Sequence, residues 1–202
     1  NPAKTGPFWA VALFYLLSAA LFLYVGVEGS IVVWIPSYFE KYLEVHVSSA
    51  AWRLSIYWLG LVFGRSLMLV LHGRWTLWPA VLVGAAGMVA VCAVMITRWS
   101  SSTATILVLL AGFLSGPIWP TIVTLSQHVR DSGQFTSGVI AAGALGAGIG
   151  PFTSSFVIAK LGMTWFFPVL TALSLLLLAS VFAAKLLAAS RPKHLQIDNN
   201  QH

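Results

Sequence analysis

Long apolar runs and brief polar breaks alternate along the chain from Phe8 onward. The runs cover roughly 8–39, 48–71, 76–97, 104–129, 135–160 and 163–187, and the breaks read EKYLEVHV, HGRW, RWSSST, RDSGQF and LGM. About 20 consecutive apolar residues suffice for a helix to cross the hydrocarbon core. A membrane β-barrel would instead show alternating segments of about ten residues, which this chain lacks. The pattern predicts an all-α membrane protein with six transmembrane helices. They form one bundle over residues 1–189, followed by a polar tail, SRPKHLQIDNNQH, over 190–202.

The runs differ in how oily they are. The third (WTLWPAVLVGAAGMVAVCAVMIT) and the body of the sixth (MTWFFPVLTALSLLLLASVFAA) hold no charge. The first, second, fourth and fifth carry the unusual residues. Two unusual helices followed by a bland one, twice over, suggest a three-plus-three repeat. The first run carries Gly26, Gly29 and Pro36, and the fourth carries Gly112, Gly116, Pro117 and Pro120, at equivalent places in that scheme. Proline removes an amide donor and bends a helix. The freed carbonyl is tolerated at membrane depth only against protein or a watery cavity. Paired Gly/Pro-interrupted spans are the best sequence pointer to a transporter's binding site, although prolines in such helices also serve packing alone.

One acid stands out. Glu28, within YVGVEGS, is the only carboxylate before Glu40. A charge inside the bilayer costs several kcal/mol, of order 3, unless it meets water or a partner. Glu28 falls in the outer half of its span and shares a face with Tyr24, one turn earlier. It reads either as a cavity-lining group or as a structural glutamate bonded to a neighbouring helix. On the fourth run, Trp119 lies near mid-membrane, where an indole can stack on a sugar ring or simply pack. Thr121, Thr124 and His128 follow one stripe, with His128 at the cytoplasmic end. Tyr57 on the second run is a further candidate. The fifth run, SGVIAAGALGAGIGP, is no nucleotide loop, because that fingerprint needs a preceding strand. Its Gly143, Gly146 and Gly150 read as a packing and hinge surface for close helix approach.

Composition sharpens this picture. The chain is 58% hydrophobic and only 8% charged, against about 25% charged in soluble domains. The net charge of +6 would suggest nucleic acid in a soluble protein. Here no basic run interleaved with aromatics lies outside the spans, so nucleic acid is set aside. Basic residues favour the cytoplasmic side. Lys4, Arg65, Arg74, Arg130, Lys185, Arg191 and Lys193 fall on one side, and Lys41, Arg53, Arg98 and Lys160 on the other. That bias places both termini in the cytoplasm. Cys92 is the single cysteine, so no internal disulfide is possible. The chain starts at Asn1 without a signal-peptide layout, and the expectation is a partial chain.

Three patches carry a resemblance. YVGVEGSIVVWIPSYF (24–39), GLVFGRSLMLVLHGR (60–74) and GFLSGPIWPT (112–121) resemble the seventh, eighth and tenth helices of major facilitator superfamily transporters. The chain is most similar to the carboxy-terminal half of fucose permease-type sugar transporters and their fungal relatives. The resemblance implies one half of a twelve-helix fold, with an amino-terminal six-helix half as partner. It implies transport of a sugar or similar polar solute, with Glu28, Tyr24, Trp119, Thr121, Thr124 and Tyr57 on the solute wall. Gly64-Arg65 occupies the usual place before the cytoplasmic turn, so Arg65 reads as part of a cytoplasmic gate. Some features depart from the family. Val32 and Val33 stand where glycine often precedes the aromatic matched by Trp34, and the turn after Arg65 lacks an acid. The proton-coupling acids of such symporters lie in the other half, so a proton is a possible co-substrate only by analogy.

The expected function is solute transport by alternating access, with no catalytic residue, no cofactor and no metal. An intramembrane serine protease needs a GxSG-like nucleophile and a membrane histidine. Gly112–Gly116 has the wrong spacing for that, and His46, His72 and His128 lie near span ends. A transporter-like receptor or a nonfunctional remnant is the other reading of the same chain.

Overall fold

The computed structural model describes residues 8–70, 76–130 and 132–190. Lys4, His72, Arg74, Arg191, Lys193 and the tail beyond Ser190 lie outside the described residues. Everything regular is helical: α1 (Phe8–Lys41), α2 (Val47–Val70), α3 (Leu77–Val94), α4 (Ser101–Ser115), α5 (Ile118–Val129), α6 (Gly133–Leu161), a single 3₁₀ turn (Met163–Trp165) and α7 (Phe166–Ala189). Counting α4 with α5, and the 3₁₀ turn with α7, six helices among the described residues are long and apolar enough to cross a membrane.

The two Gly/Pro-bearing spans behave differently. Pro36 lies inside α1, which continues through it without a break. The fourth span is interrupted: α4 stops at Ser115, a turn covers Gly116 and Pro117, and α5 begins at Ile118. One missing hydrogen bond leaves a long, well-packed helix intact. A glycine beside a proline does not by itself break a span, since α6 runs through Gly150–Pro151; what distinguishes the fourth span is a second proline, Pro120, within one turn of the first. Pro120 then falls in the first turn of α5, where the amides have no intrahelical acceptor and the loss costs nothing.

α1 is the central element. Leu13, Leu17, Leu21, Tyr24, Ile31, Ile35 and Tyr38 are buried along it at spacings of three to four or their sums, so one stripe meets the other helices. α1 packs chiefly on α6 and α7, α2 on α4, and α3 on α7 and α4. Exchanging the first three spans for the last three maps this scheme onto itself. The first span against the fifth becomes the fourth against the second. The first against the sixth becomes the fourth against the third.

The two tightest crossings obey the same exchange, and both rest on glycine. Gly26 of α1 meets Gly146 and Gly150 of α6. Gly112 and Gly116 of the fourth span meet α2 at Tyr57, Leu61 and Gly64–Arg65, while Gly60 and Gly64 lie against Leu109 and Phe113. Gly26 to Gly112, Gly60 to Gly146 and Gly64 to Gly150 are separated by the same number of residues. The three-plus-three arrangement is therefore carried by glycine identities as well as by polarity.

Candidate functional site

The fourth-span break is closed by protein. Pro117 frees the carbonyl of Phe113, and that oxygen lies against Gly64, where any Cβ would collide with it. The Ala147 carbonyl freed by Pro151 similarly lies near Gly29, whose hypothetical Cβ would sit 3.4 Å from it. Bare Cα atoms thus cover carbonyls that would otherwise face hydrocarbon. Gly143 accommodates the Leu21 side chain in the same way. The glycines read from sequence as packing positions, Gly26, Gly29, Gly116, Gly143, Gly146 and Gly150, all stand in helix–helix contacts.

Against this tight background, polar side chains gather where α1, α2 and α4 meet. Tyr24 and Tyr57 are fully buried. Ser115, the last residue of α4, donates to the Gly112 carbonyl at 2.8 Å. Its single proton is thereby used, so the Tyr57 hydroxyl donates to Ser115 Oγ across 3.1 Å. Tyr24 Oη is buried outside ordinary hydrogen-bonding geometry with every described group, and the Glu28 carboxyl is its polar neighbour on the same helix. Glu28 itself is half-buried. Tyr24 and, more weakly, Arg65 of α2 lie within electrostatic range of its carboxyl. Tyr57 feels both Glu28 and Arg65. Tyr24, Glu28, Tyr57 and Arg65 therefore form one cluster.

The remaining residues read from the sequence lie elsewhere. Trp119, near the start of α5, is half-buried and packs against the apolar core. Thr121 is buried and donates to the Pro117 carbonyl at 2.7 Å. Thr124 donates to the Pro120 carbonyl at 2.9 Å. Both hydroxyls brace the restarted helix. His128, exposed at the end of α5, donates through Nδ1 to the Thr124 carbonyl at 2.8 Å.

A second polar link escaped sequence reading. Ser154 of α6 donates to Ser30 of α1 at 3.0 Å, and Ser30 donates to the Gly26 carbonyl at 2.7 Å. Both serines are buried beside the glycine crossing. Nothing in their local sequence marks them, because isolated serines are common in membrane helices. At the other end, Arg53 lies over Trp52 and Phe39, with its guanidinium carbon 4.4 and 5.3 Å from the ring centres. It also donates to the Ser49 carbonyl and, at 3.1 Å, to Ser101 Oγ. Arg98 pairs with Glu44 at 3.0 Å and lies over Tyr42. A groove of about 650 Å³ between α2 and α4 is lined by Leu59, Phe63, Leu67, Ile106 and Phe113, among others. Ser66 is its single polar lining residue, so it has no chemistry for a polar solute.

No family model matches the chain. It is similar to the proteins described as "Protein TsgA homolog" from Yersinia pestis (strain Pestoides F) and Yersinia pseudotuberculosis serotype O:1b (strain IP 31758). Each is 25% identical over 140 residues, which is 68% of this chain and 35% of the relative. The matched part of this chain thus spans about a third of the length of the curated relatives it matches.

Proposed function

We propose that this chain is the carboxy-terminal six-helix half of a major facilitator-type secondary transporter. It carries a small polar solute, in the first instance a sugar, across a membrane by alternating access. The observation that supports this reading is the cluster of Tyr24, Glu28, Tyr57 and Arg65. A chain with so little charge gathers an acid, a cation and two buried tyrosines at the meeting of α1, α2 and α4. Ionisable groups at membrane depth mark solute or ion pathways by default. A glycine-hinged broken span beside them fits a site near the midplane between rocking bundles.

In this reading Glu28 accepts hydrogen bonds from the solute, and the Tyr24 and Tyr57 hydroxyls flank it. Trp119 offers an apolar face from α5. Thr121 and Thr124 hold the helix that presents Trp119. The partner is an amino-terminal six-helix half, consistent with the greater length of the TsgA homologues, and both termini of this half face the cytoplasm. The bilayer is the solvent of the outward faces of α3 and α7.

Uptake of labelled sugars by proteoliposomes holding the natural full-length protein tests the proposal. Wild-type vesicles should accumulate or equilibrate one of them, and Glu28→Gln should lower the rate at least tenfold at equal reconstitution. Absence of uptake for every solute tried, from protein that is folded and inserted, would favour a receptor or remnant instead.

A further inference from the structure

The seam between α2 and α4 carries two features that a solute site does not use. The first lies where both helices begin. Arg53 of α2 donates to the Ser49 carbonyl and, at 3.1 Å, to Ser101 Oγ at the start of α4. Its guanidinium carbon lies 4.4 Å from the centre of the Trp52 ring. All of these partners are neutral, and among the described residues no carboxylate pairs with Arg53. A guanidinium has five N–H donors. Nε is buried without a partner, and each terminal nitrogen spends one of its two protons on a serine oxygen. One donor on each is left, on a side chain that is only half-buried. The second feature is the apolar groove of about 650 Å³ further along the same seam. Trp52, Leu59, Phe63 and Val70 stand seven, four and seven residues apart, which puts them on one stripe of α2. All four are exposed, and the last three line the groove. The groove therefore continues the stripe that Trp52 begins beside the guanidinium. Gly60, where α2 touches the α4 backbone, forms its floor.

We propose that this seam binds an anionic glycerophospholipid, with its phosphate on Arg53 and one acyl chain in the groove. The inference goes beyond the transporter reading and does not depend on any solute. A phosphodiester supplies the anion that Arg53 lacks, and guanidinium–phosphate hydrogen bonds are charge-assisted and often bidentate. An exposed tryptophan beside the cation suits the headgroup level of a bilayer. Arg98 and Glu44 already pair with one another, so the anchor is left with a net positive charge. That favours a net-negative headgroup over a zwitterionic one. Length decides between a lipid and a helix as the occupant. At 1.5 Å per residue, the seam runs about 18 Å along α4 from Ser101 to Phe113, and about 25 Å along α2 from Arg53 to Val70. One leaflet, half of a 40–45 Å bilayer, is about 20–22 Å thick. The seam is thus one leaflet deep. A transmembrane helix would run through both leaflets and bring no fixed anion to Arg53.

Two measurements on the natural full-length protein test this. In the first, wild-type protein in membranes is photolabelled with phosphatidylglycerol carrying a diazirine midway along one acyl chain. Labels concentrated on α2 from Leu59 onward and on α4 between Ile106 and Phe113 support the site. Labels spread evenly over the outward faces of α3 and α7 overturn it. In the second, native mass spectrometry in detergent gives the affinities for phosphatidylglycerol and for phosphatidylcholine with the same chains. Wild type, Arg53→Gln and Leu67→Trp are compared. Wild type should bind phosphatidylglycerol roughly tenfold more tightly than phosphatidylcholine, and Arg53→Gln should remove that preference. Leu67 is exposed on the groove wall, so a larger side chain fits there without disturbing the core. Tryptophan at 67 should weaken both lipids roughly tenfold and leave the preference unchanged. Equal wild-type affinities, or a preference that survives Arg53→Gln, overturn the phosphate contact. Undiminished binding by Leu67→Trp overturns the acyl seat. The labelling uses unaltered protein, so it decides the matter even where Arg53→Gln fails to fold. None of these readouts measures transport, so their failure leaves the transporter reading intact.

Discussion

Gly150 of α6 sits directly on Gly26 of α1: a Cβ at position 150 would overlap the α-carbon, carbonyl carbon and oxygen of residue 26. The relationship is not reciprocal. A Cβ at position 26 would stand 3.5 Å from the nearest atoms of Gly146 and Gly150, an ordinary contact. The obstruction at position 150 is backbone, which cannot rotate away. Overpacking of this kind costs about 1–3 kcal/mol. Gly150→Ala should therefore lower the thermal midpoint in detergent. Gly148→Ala is the control, since nothing lies within 4 Å of that position. There alanine should be neutral or stabilising, by up to about 1 kcal/mol, from helix propensity alone. Equal effects at 148 and 150 would mean that α1 and α6 do not cross at these glycines.

The Tyr57–Ser115 bond sets a second expectation. Tyr57→Phe removes a donor and leaves Ser115 bonded to the Gly112 carbonyl, so it should cost about 0.6 kcal/mol, the average for side-chain bonds between membrane helices. Ser115→Ala leaves a fully buried tyrosine hydroxyl without its acceptor and should cost more, about 1–3 kcal/mol. The double variant should be less destabilised than the sum of the two. A thermal double-mutant cycle measures this, and strict additivity would show that the hydroxyls do not touch.

Much of this architecture was legible in the chain because lipid imposes one strong rule. Every spanning backbone must satisfy itself, so apolar length alone marks the helices. The same rule hides their orientation. Exposed residues such as Val11, Val33 and Phe152 are as apolar as buried ones such as Leu17 and Ile35. Hydrophobic periodicity, which reveals the inner face of a soluble helix, therefore says little about which side of α1 is the core. The glycines told more, because a missing side chain is informative in any solvent. Glu28, Tyr24 and Tyr57 were visible as unusual groups, but the bond of Tyr57 to Ser115 depends on how α2 packs against the fourth span. The Ser30–Ser154 link depends on the α1–α6 crossing in the same way. Thr121 and Thr124 looked like cavity-lining hydroxyls because their use by Pro117 and Pro120 carbonyls is a local geometric fact that spacing alone leaves open.

Arg53 offers a test at the opposite end of α2. Its guanidinium stacks over Trp52 and Phe39 and bonds outward to Ser101, joining the second span to the start of the fourth. Arg53→Ala removes all of these and should cost about 1–3 kcal/mol, combining a cation–π contribution of about 0.5–2 kcal/mol with the hydrogen bonds. Arg53→Lys keeps the charge but not the planar donor fork, so it should recover only part of the loss. Full recovery with lysine would reduce the site to a point charge near aromatic rings.

Glu44 is the one described residue other than glycine with a positive φ, at 58°. It lies in the connection between α1 and α2, and its carboxylate meets Arg98 with both side chains more than half exposed, at 78% and 55%. Two contributions therefore oppose each other at this position. An ion pair so open to solvent is worth between nothing and about 1 kcal/mol. The left-handed backbone costs a residue with a Cβ about 1–2 kcal/mol, and glycine is spared that cost. The backbone contribution is the larger. Glu44→Gly should therefore leave stability unchanged or raise it by up to about 1 kcal/mol, despite losing the partner of Arg98. Glu44→Gln keeps the Cβ and gives up the charge, so it should fall slightly below wild type. Glu44→Val combines the lost pair with a branched side chain that tolerates this conformation poorly, and should be the least stable of the three. Thermal midpoints in one detergent and at one salt concentration rank them. A glycine variant clearly less stable than the glutamine variant would show that the ion pair, not the backbone, governs this turn.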